Sequence, residues 1–417
     1  MIRTLKRTRA LVLAATLLVA PRVAGANDVV LDWNEIALAA SVTAAQGANP
    51  QTRTMAIVQV AIHDAVNGIT RKYQLYGRPG RAPFGASADA AAIAAAHHAL
   101  RQLFPLQAAT LDAAREASLA SRGLSEADPG IGFGESVAAA IVALRLGDGA
   151  AQATFPYTAP GAGSPGVWVP VGTAAPVLPG WGEVTPWVVR NASQFKPGRP
   201  YRLAGKRYAI DYKEVQEIGS RLSLTRTAEQ SEIARFWLAT PSVIWNGVAV
   251  RMIEARRLSD SAAAQVLAHM YLAAADAGIS TWRAKYDINY WRPFTAIRSG
   301  HLDGNDHTSA DPLWEAFLTT PQHPEFPSGH GTNSGAMAMV LMLAFGDKPG
   351  VPIVATSPTN AAFPRTWRKF SEGVAEVVDA RIYSGFHFRR ADEAGALLGQ
   401  RIGKFVVKHT LAPRKHR

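Results

Sequence analysis

Apolar residues in this chain recur at helical spacing, and that pattern stops between residues 148 and 207. In 51–69, Met55, Val58, Ile62 and Val66 fall on one face of a helix. Similar Ala- and Leu-rich stretches predict helices near 30–44, 86–102, 106–121, 129–145, 209–222, 226–257, 260–287, 329–346, 364–384 and 387–409. Alternating strand patterns are sparse. A chain that can bury only helix stripes must pack helix against helix, so an all-α architecture of packed bundles is expected.

The interruption carries recurrent Pro and Gly, with Trp168, Trp181 and Trp187 scattered among them. So long a connection without helical or strand periodicity is unusual inside a compact domain. The favoured expectation is that it wraps the surface, and the alternative is that it folds over the mouth of a site. It separates an N-terminal helical region, 27–207, from a second half, 208–417, which holds the chemistry-bearing motifs. No internal repeat of fixed period occurs.

Residues 1–26 read as a cleaved signal peptide, the alternative being a membrane anchor left uncut. Arg3, Lys6, Arg7 and Arg9 precede an apolar run from Ala10 to Ala20, and Ala24-Gly25-Ala26 offers a small-residue cleavage site. Export is therefore expected. The run is too short to span a membrane, and no later segment is long and apolar enough, so no stable membrane span is expected. The formal charge of +12 loses five basic residues with that segment and falls to +7. A mild basic excess suits small anions. Lys404, Lys408, Arg414, Lys415 and Arg417 crowd the tail but lack interleaved aromatics, so nucleic acid is not expected as a partner. With no cysteine, disulfides, thiolate nucleophiles and Cys-based zinc sites are excluded.

Three clusters bear on chemistry. In the first, Lys285 and Arg292 lie seven apart, next to a helix end that Pro293 is expected to impose. In the second, His323-Pro324-Glu325-Phe326-Pro327-Ser328-Gly329-His330 leads from an extended stretch into a helix start. There, free backbone N–H groups and a hydroxyl attract an oxyanion. In the third, Arg381 precedes Gly385, which can close a helix in a left-handed cap, and His387, which can open the next. Each cluster alone has a plain structural reading as a capped or dipole-complemented helix end. Together they supply Lys, two Arg, Ser, a Gly amide and two His, enough donors to surround a tetrahedral anion.

These motifs, in this order, resemble the three-part signature shared by vanadium haloperoxidases and the type 2 phosphatidic acid phosphatase superfamily. The resemblance runs from about residue 270 to 400. Asp276-Ala277-Gly278-Ile279, Trp282 and Trp291-Arg292-Pro293 look like the haloperoxidase version, and His323 resembles the bromoperoxidase variety. The resemblance implies two four-helix-bundle-like units and a vanadate cofactor, with phosphate able to take the same site. Lys285, Arg292, Ser328, the Gly329 amide and Arg381 would hold its oxygens, and His387 would be the metal ligand. His330 would move the proton of hydrogen peroxide, and Lys285 would polarise the bound peroxide. His323, Trp291 and Asp392 would stand behind these. The implied reaction is oxidation of halide, bromide or iodide favoured, to hypohalous acid, with a small organic acceptor as a further partner. Two positions depart from the pattern. Ala380 stands where Ser often precedes the Arg, and Ala391 stands where an Asp often orients the ligand His. Asp392, one residue on, is the candidate replacement.

The same pocket would serve an exported acid or lipid phosphatase, with His387 as nucleophile and His330 as acid. A non-catalytic exported oxyanion-binding protein is a reading of another class. Elsewhere, His97-His98, His63-Asp64 and the loop from His301 to His307 are expected to be helix packing or polar turns. Asn191-Ala192-Ser193 is a weak glycosylation acceptor pattern.

Overall fold

The computed structural model describes residues 28–414, so the segment expected to be a signal peptide and the last tail residues lie outside the described residues. Five helices precede the long connection: α1 (Val29–Thr43), α2 (Ala48–Thr70), α3 (Ala88–Leu103), α4 (Ala108–Ser121) and α5 (Pro129–Arg145). Eight follow it: α6 (Lys206–Ile218), α7 (Ala228–Phe236), α8 (Pro241–Arg256), α9 (Asp260–Ile288), α10 (Pro293–Arg298), α11 (Gly329–Phe345), α12 (Phe370–Tyr383) and α13 (Arg389–His409). Two short antiparallel strands, β1 (Ile353–Ala355) and β2 (Arg365–Trp367), pair Ile353 with Trp367. The architecture is all-α, as expected.

Local chemistry explains the helix limits. Asp28 and Ser87 cap α1 and α3 by accepting backbone N–H groups, and Thr227 with Gln230 closes a capping box on α7. Three expectations need correction. The stretch 226–257 is two helices, because the chain turns at Trp237–Thr240 and Pro241 then opens α8. Residues 365–367 are strand, and α12 begins only at Phe370. Pro293 does not end α9. That helix closes at Asn289 in a left-handed conformation, and Pro293 is the first residue of α10.

The main core runs through both halves of the chain. Met55, Val58, Ile62 and Val66 of α2 join one buried cluster with Leu267, Met270 and Leu272 of α9, and α2 lies against α9. The α11–α13 pair packs closely. A Cβ on Gly335 would come within 2.3 Å of the Ala396 carbonyl, and one on Gly399 within 1.9 Å of the Thr332 carbonyl. These glycines let the two backbones approach closely, which brings the helix start at Ser328 against the first turns of α13, where Ser328 N–H donates to the Ala391 carbonyl.

The connection does more than wrap the surface, against the favoured expectation. Asp276 of α9, fully buried, accepts N–H bonds from Trp187, Val188 and Val189 at 2.6, 2.8 and 2.9 Å. Trp168 N–H donates to the Asn289 carbonyl and Trp291 N–H to that of Gly166. The Val177 carbonyl accepts from Trp282 Nε1 and the Tyr286 hydroxyl. The connection is thereby fixed to the C-terminal end of α9, and Val177 and Leu178 become part of a cavity wall.

Candidate active site

A cavity of about 260 Å³ opens between the connection, the start of α2 and the second-half helices. His323, Gly329, His330, Arg381 and His387 line it, with Trp282, Asn49 and Asn333. The second and third sequence clusters thus meet at the cavity wall, while Lys285 and Arg292 of the first lie behind it, Arg292 against the rings of His323 and His387.

Lys285, Arg292 and Arg381 are 0, 0 and 2 % exposed. Lys285 Nζ donates to the carbonyls of Pro324 and Glu325 at 2.7 and 2.9 Å. Arg292 Nε donates to the His323 carbonyl and Nη1 to that of Phe386, both at 2.9 Å. The same Nη1 meets His387 Nε2 at 3.2 Å, and Nη2 meets His323 Nδ1 at 2.9 Å. Arg381 Nη1 donates to the Trp237 carbonyl at 2.8 Å, while its buried Nε has no partner. Ser328 caps α11 and accepts from Gly331 N–H, so its own hydroxyl proton can turn either to the neighbouring Asp392 carboxyl or to an anion. Beside it, a Cβ on Gly329 would press against the Trp282 ring at 3.2 Å.

The turn at 237–240 is where the broken helix matters. Its Trp237 carbonyl takes Arg381, and its Ala239 carbonyl accepts from His330 Nε2 at 3.2 Å. A carbonyl can only accept, so the His330 proton sits on Nε2 and Nδ1 is left as a proton acceptor. The hairpin missed in sequence supports this turn. Trp367 of β2 stacks on Trp237 with ring centroids 5.9 Å apart, and Glu376 accepts from the Nε1 of both rings.

Burial sets the electrostatics. Desolvation pulls Arg292 down to about 10 and Arg381 to about 9, and draws Lys285 well below its ordinary value. It also pushes the buried carboxyls of Glu325 and Asp392 up to about 8. His330 and His387 are drawn well below the ordinary imidazole value, first by burial and then by the nearby guanidinium charge. Three cations and two carboxyls packed at this depth leave positive charge uncompensated. A bound oxyanion would relieve that cost. The unpaired Arg381 Nε, the Ser328 hydroxyl and the helix start at Gly329 are the donors it would meet. The residues therefore fit a vanadate or phosphate ion.

The expected supporting residues divide. His323 lines the cavity and packs against Trp282 at 4.9 Å between ring centroids. Trp291 instead lies in a separate apolar cluster with Tyr290, Phe326 and Phe388, and does not line the cavity. Asp392 sits beside Ser328 and Arg381. The group that faces His387 Nδ1 is Glu325, whose Oε1 is 2.9 Å away. The sequence did not reveal this role. Glu325 stands in plain view inside the second motif, but no local spacing says where its carboxylate points. His387 also lies in the loop ahead of α13, not at its first turn, and Gly385 supplies the left-handed turn at φ +78°.

The remaining polar candidates are structural. His97 pairs with Asp112, His63 with Asp64, and Asp303 folds its own loop by accepting from Asn305 N–H and Thr308 Oγ1. No cluster of three metal-ligating side chains occurs among the described residues.

Residues 265–415 match the family described as the VCPO second helical-bundle domain. The matched segment contains every motif residue named above. The vanadium chloroperoxidase of Curvularia inaequalis is 33% identical over 98 residues, which are 21% of this chain and 15% of that protein. The aligned part thus spans a small fraction of that relative. Among solved structures, the first bacterial vanadium-dependent iodoperoxidase is similar with a TM-score of 0.81 at 24% identity, covering 95% of this chain and 100% of the other. A holo-type bacterial vanadium-dependent chloroperoxidase gives a TM-score of 0.70 at 18% identity, covering 91% and 97%.

Proposed function

We propose that this protein uses hydrogen peroxide to oxidise halide, bromide or iodide in preference, at a vanadate ion held in the cavity. The observation that carries the reading is that Arg381, His387 and the helix start at Gly329 line one cavity, with buried Lys285 and Arg292 behind them and Arg292 Nη1 donating to His387 Nε2. The likeness to the iodoperoxidase and chloroperoxidase structures supports it.

In this reading the three cations offset the charge of the ion, and His387 Nε2 holds it. When bound, vanadate supplies the Lewis-acidic centre that makes peroxide oxygen electrophilic toward halide. His330, neutral and protonated on Nε2, takes a proton from hydrogen peroxide at its other nitrogen. The Lys285 ammonium would stabilise negative charge on the oxygens of the bound group. Halide loses two electrons and peroxide gains them; with the proton returned by His330 and one more taken from solvent, the products are hypohalous acid and water. Export through residues 1–26 belongs to the same proposal. It predicts that protein recovered outside the cytoplasm begins at Asn27.

The test is an assay of bromide- and iodide-dependent oxidation of a phenol-type dye with hydrogen peroxide and added orthovanadate, run beside phosphate-ester hydrolysis by vanadate-free protein. Halogenation that requires vanadate and vanishes in His387→Ala and His330→Ala is expected. Ester hydrolysis inhibited by vanadate, with no halogenation, would make the protein a phosphatase on the same scaffold.

A further inference from the structure

We propose that Glu325 is the positioning residue for His387, taking over from the second motif the task that Ala391 leaves open in the third. The proposal rests on the oxyanion-pocket reading and concerns how that pocket keeps one ring nitrogen available.

The geometry fixes the tautomer from both sides of the ring. On one side, Arg292 Nη1 lies 3.2 Å from His387 Nε2. A guanidinium can only donate, so Nε2 must present its lone pair. On the other side, Glu325 Oε1 lies 2.9 Å from Nδ1 and also accepts the Phe388 N–H at 3.0 Å. An oxygen that already accepts from a backbone amide is an acceptor here whether or not the other oxygen carries a proton, so the imidazole proton sits on Nδ1. The shared oxygen ties the ring to the backbone of the next residue, which limits rotation of the loop ahead of α13.

Glu325 is held firmly enough to do this. It is fully buried, its N–H donates to the Tyr290 carbonyl at 2.9 Å, and its own carbonyl accepts from Lys285. One residue therefore joins the Lys285 ammonium, through its main chain, to the His387 ring, through its side chain. Asp392, the nearer candidate in sequence, has neither carboxyl oxygen hydrogen-bonded to the ring, and Nδ1 meets Glu325 instead.

Two conservative variants separate contact from charge. Glu325→Gln keeps an oxygen at the same reach, while Glu325→Asp keeps the charge but withdraws it by one methylene. Orthovanadate and inorganic phosphate affinities would be measured by calorimetric titration. The His387 tautomer would be read from ¹⁵N-histidine spectra of the anion-free protein, the signal being assigned by its loss in His387→Asn. The expected result is that Glu325→Gln retains the Nδ1-protonated signature with an affinity loss of only a few-fold. Glu325→Asp should show a mixed tautomer and bind both anions at least about ten-fold more weakly. Wild-type affinity and tautomer in Glu325→Asp, or equal losses in both variants, would overturn the proposal. The ¹⁵N readout needs neither vanadate nor turnover, so it stands or falls apart from the haloperoxidase reading.

Discussion

Buried charge on single residues gives this pocket its character. Arg381 offers one bond to the Trp237 carbonyl and leaves its buried Nε without a partner. Arg381→Lys keeps the charge but loses the planar fork, so oxyanion affinity should fall by roughly ten-fold, the equivalent of one charge-assisted bond. Titration with orthovanadate checks it, and unchanged affinity would mean that Arg381 only neutralises charge. A residue remote from the cavity sets part of the acid response. His269, buried in α9 with Nε2 3.0 Å from the Thr410 carbonyl, is lowered by burial to about 4. Its folded value lies below its unfolded one, so its contribution to stability is complete above the unfolded value near 6.5 and is lost as pH falls toward 4. Between pH 7 and pH 4.5, urea denaturation should show wild type losing roughly 2 to 3 kcal/mol more than His269→Gln.

Among the elements, the connection and the 237–240 turn are the ones whose roles depend on anchoring. Asp276 is raised by burial to about 6 and is therefore ionised at pH 7, where it holds three consecutive N–H groups of the connection. Asn in its place would turn an amide N–H toward a backbone donor. Asp276→Asn is expected to cost about 3 kcal/mol in urea denaturation at pH 7. Limited proteolysis within 148–207 should also speed up, because the segment loses its hold on α9. A variant as stable and as protease-resistant as wild type would show that the Val177 contacts alone secure the wall. The sequence offered the Pro and Gly content of this segment, but nothing in it marked which carbonyls and amides α9 would take. The break between α7 and α8 was masked in the same way. Ile233, Phe236, Ile244 and Trp245 continue an apolar pattern across it, and only Pro241 hinted at a restart.

For the whole molecule, the anion and the fold should be thermodynamically linked. The three cations are brought together only when α9, α11, α12 and the 237–240 turn are all in place, so an oxyanion binds the folded state alone. At a hundred times its dissociation constant, orthovanadate should add about 2.7 kcal/mol. For a chain of this size that is a rise in Tm of roughly 3 °C, readable by calorimetry. No rise with either vanadate or phosphate would mean that the cluster is not an anion site.

The sequence by itself determined the helical class, most helix limits and the identities of the residues that meet in the pocket. Helical periodicity, capping residues and the short motifs around Lys285, Ser328 and Arg381 are local signals, each contained within a turn or two of chain. Tertiary structure decided what those residues face. Glu325 rather than Asp392 reaches His387, Trp291 turns to an apolar cluster, and the 148–207 segment lines the cavity. Those outcomes depend on the close approach of α11 and α13 and on hydrogen bonds between positions far apart in the chain, such as Asp276 and Trp187 at a separation of 89. No spacing within one segment encodes a partner's distance or direction, which is fixed only when the helices pack.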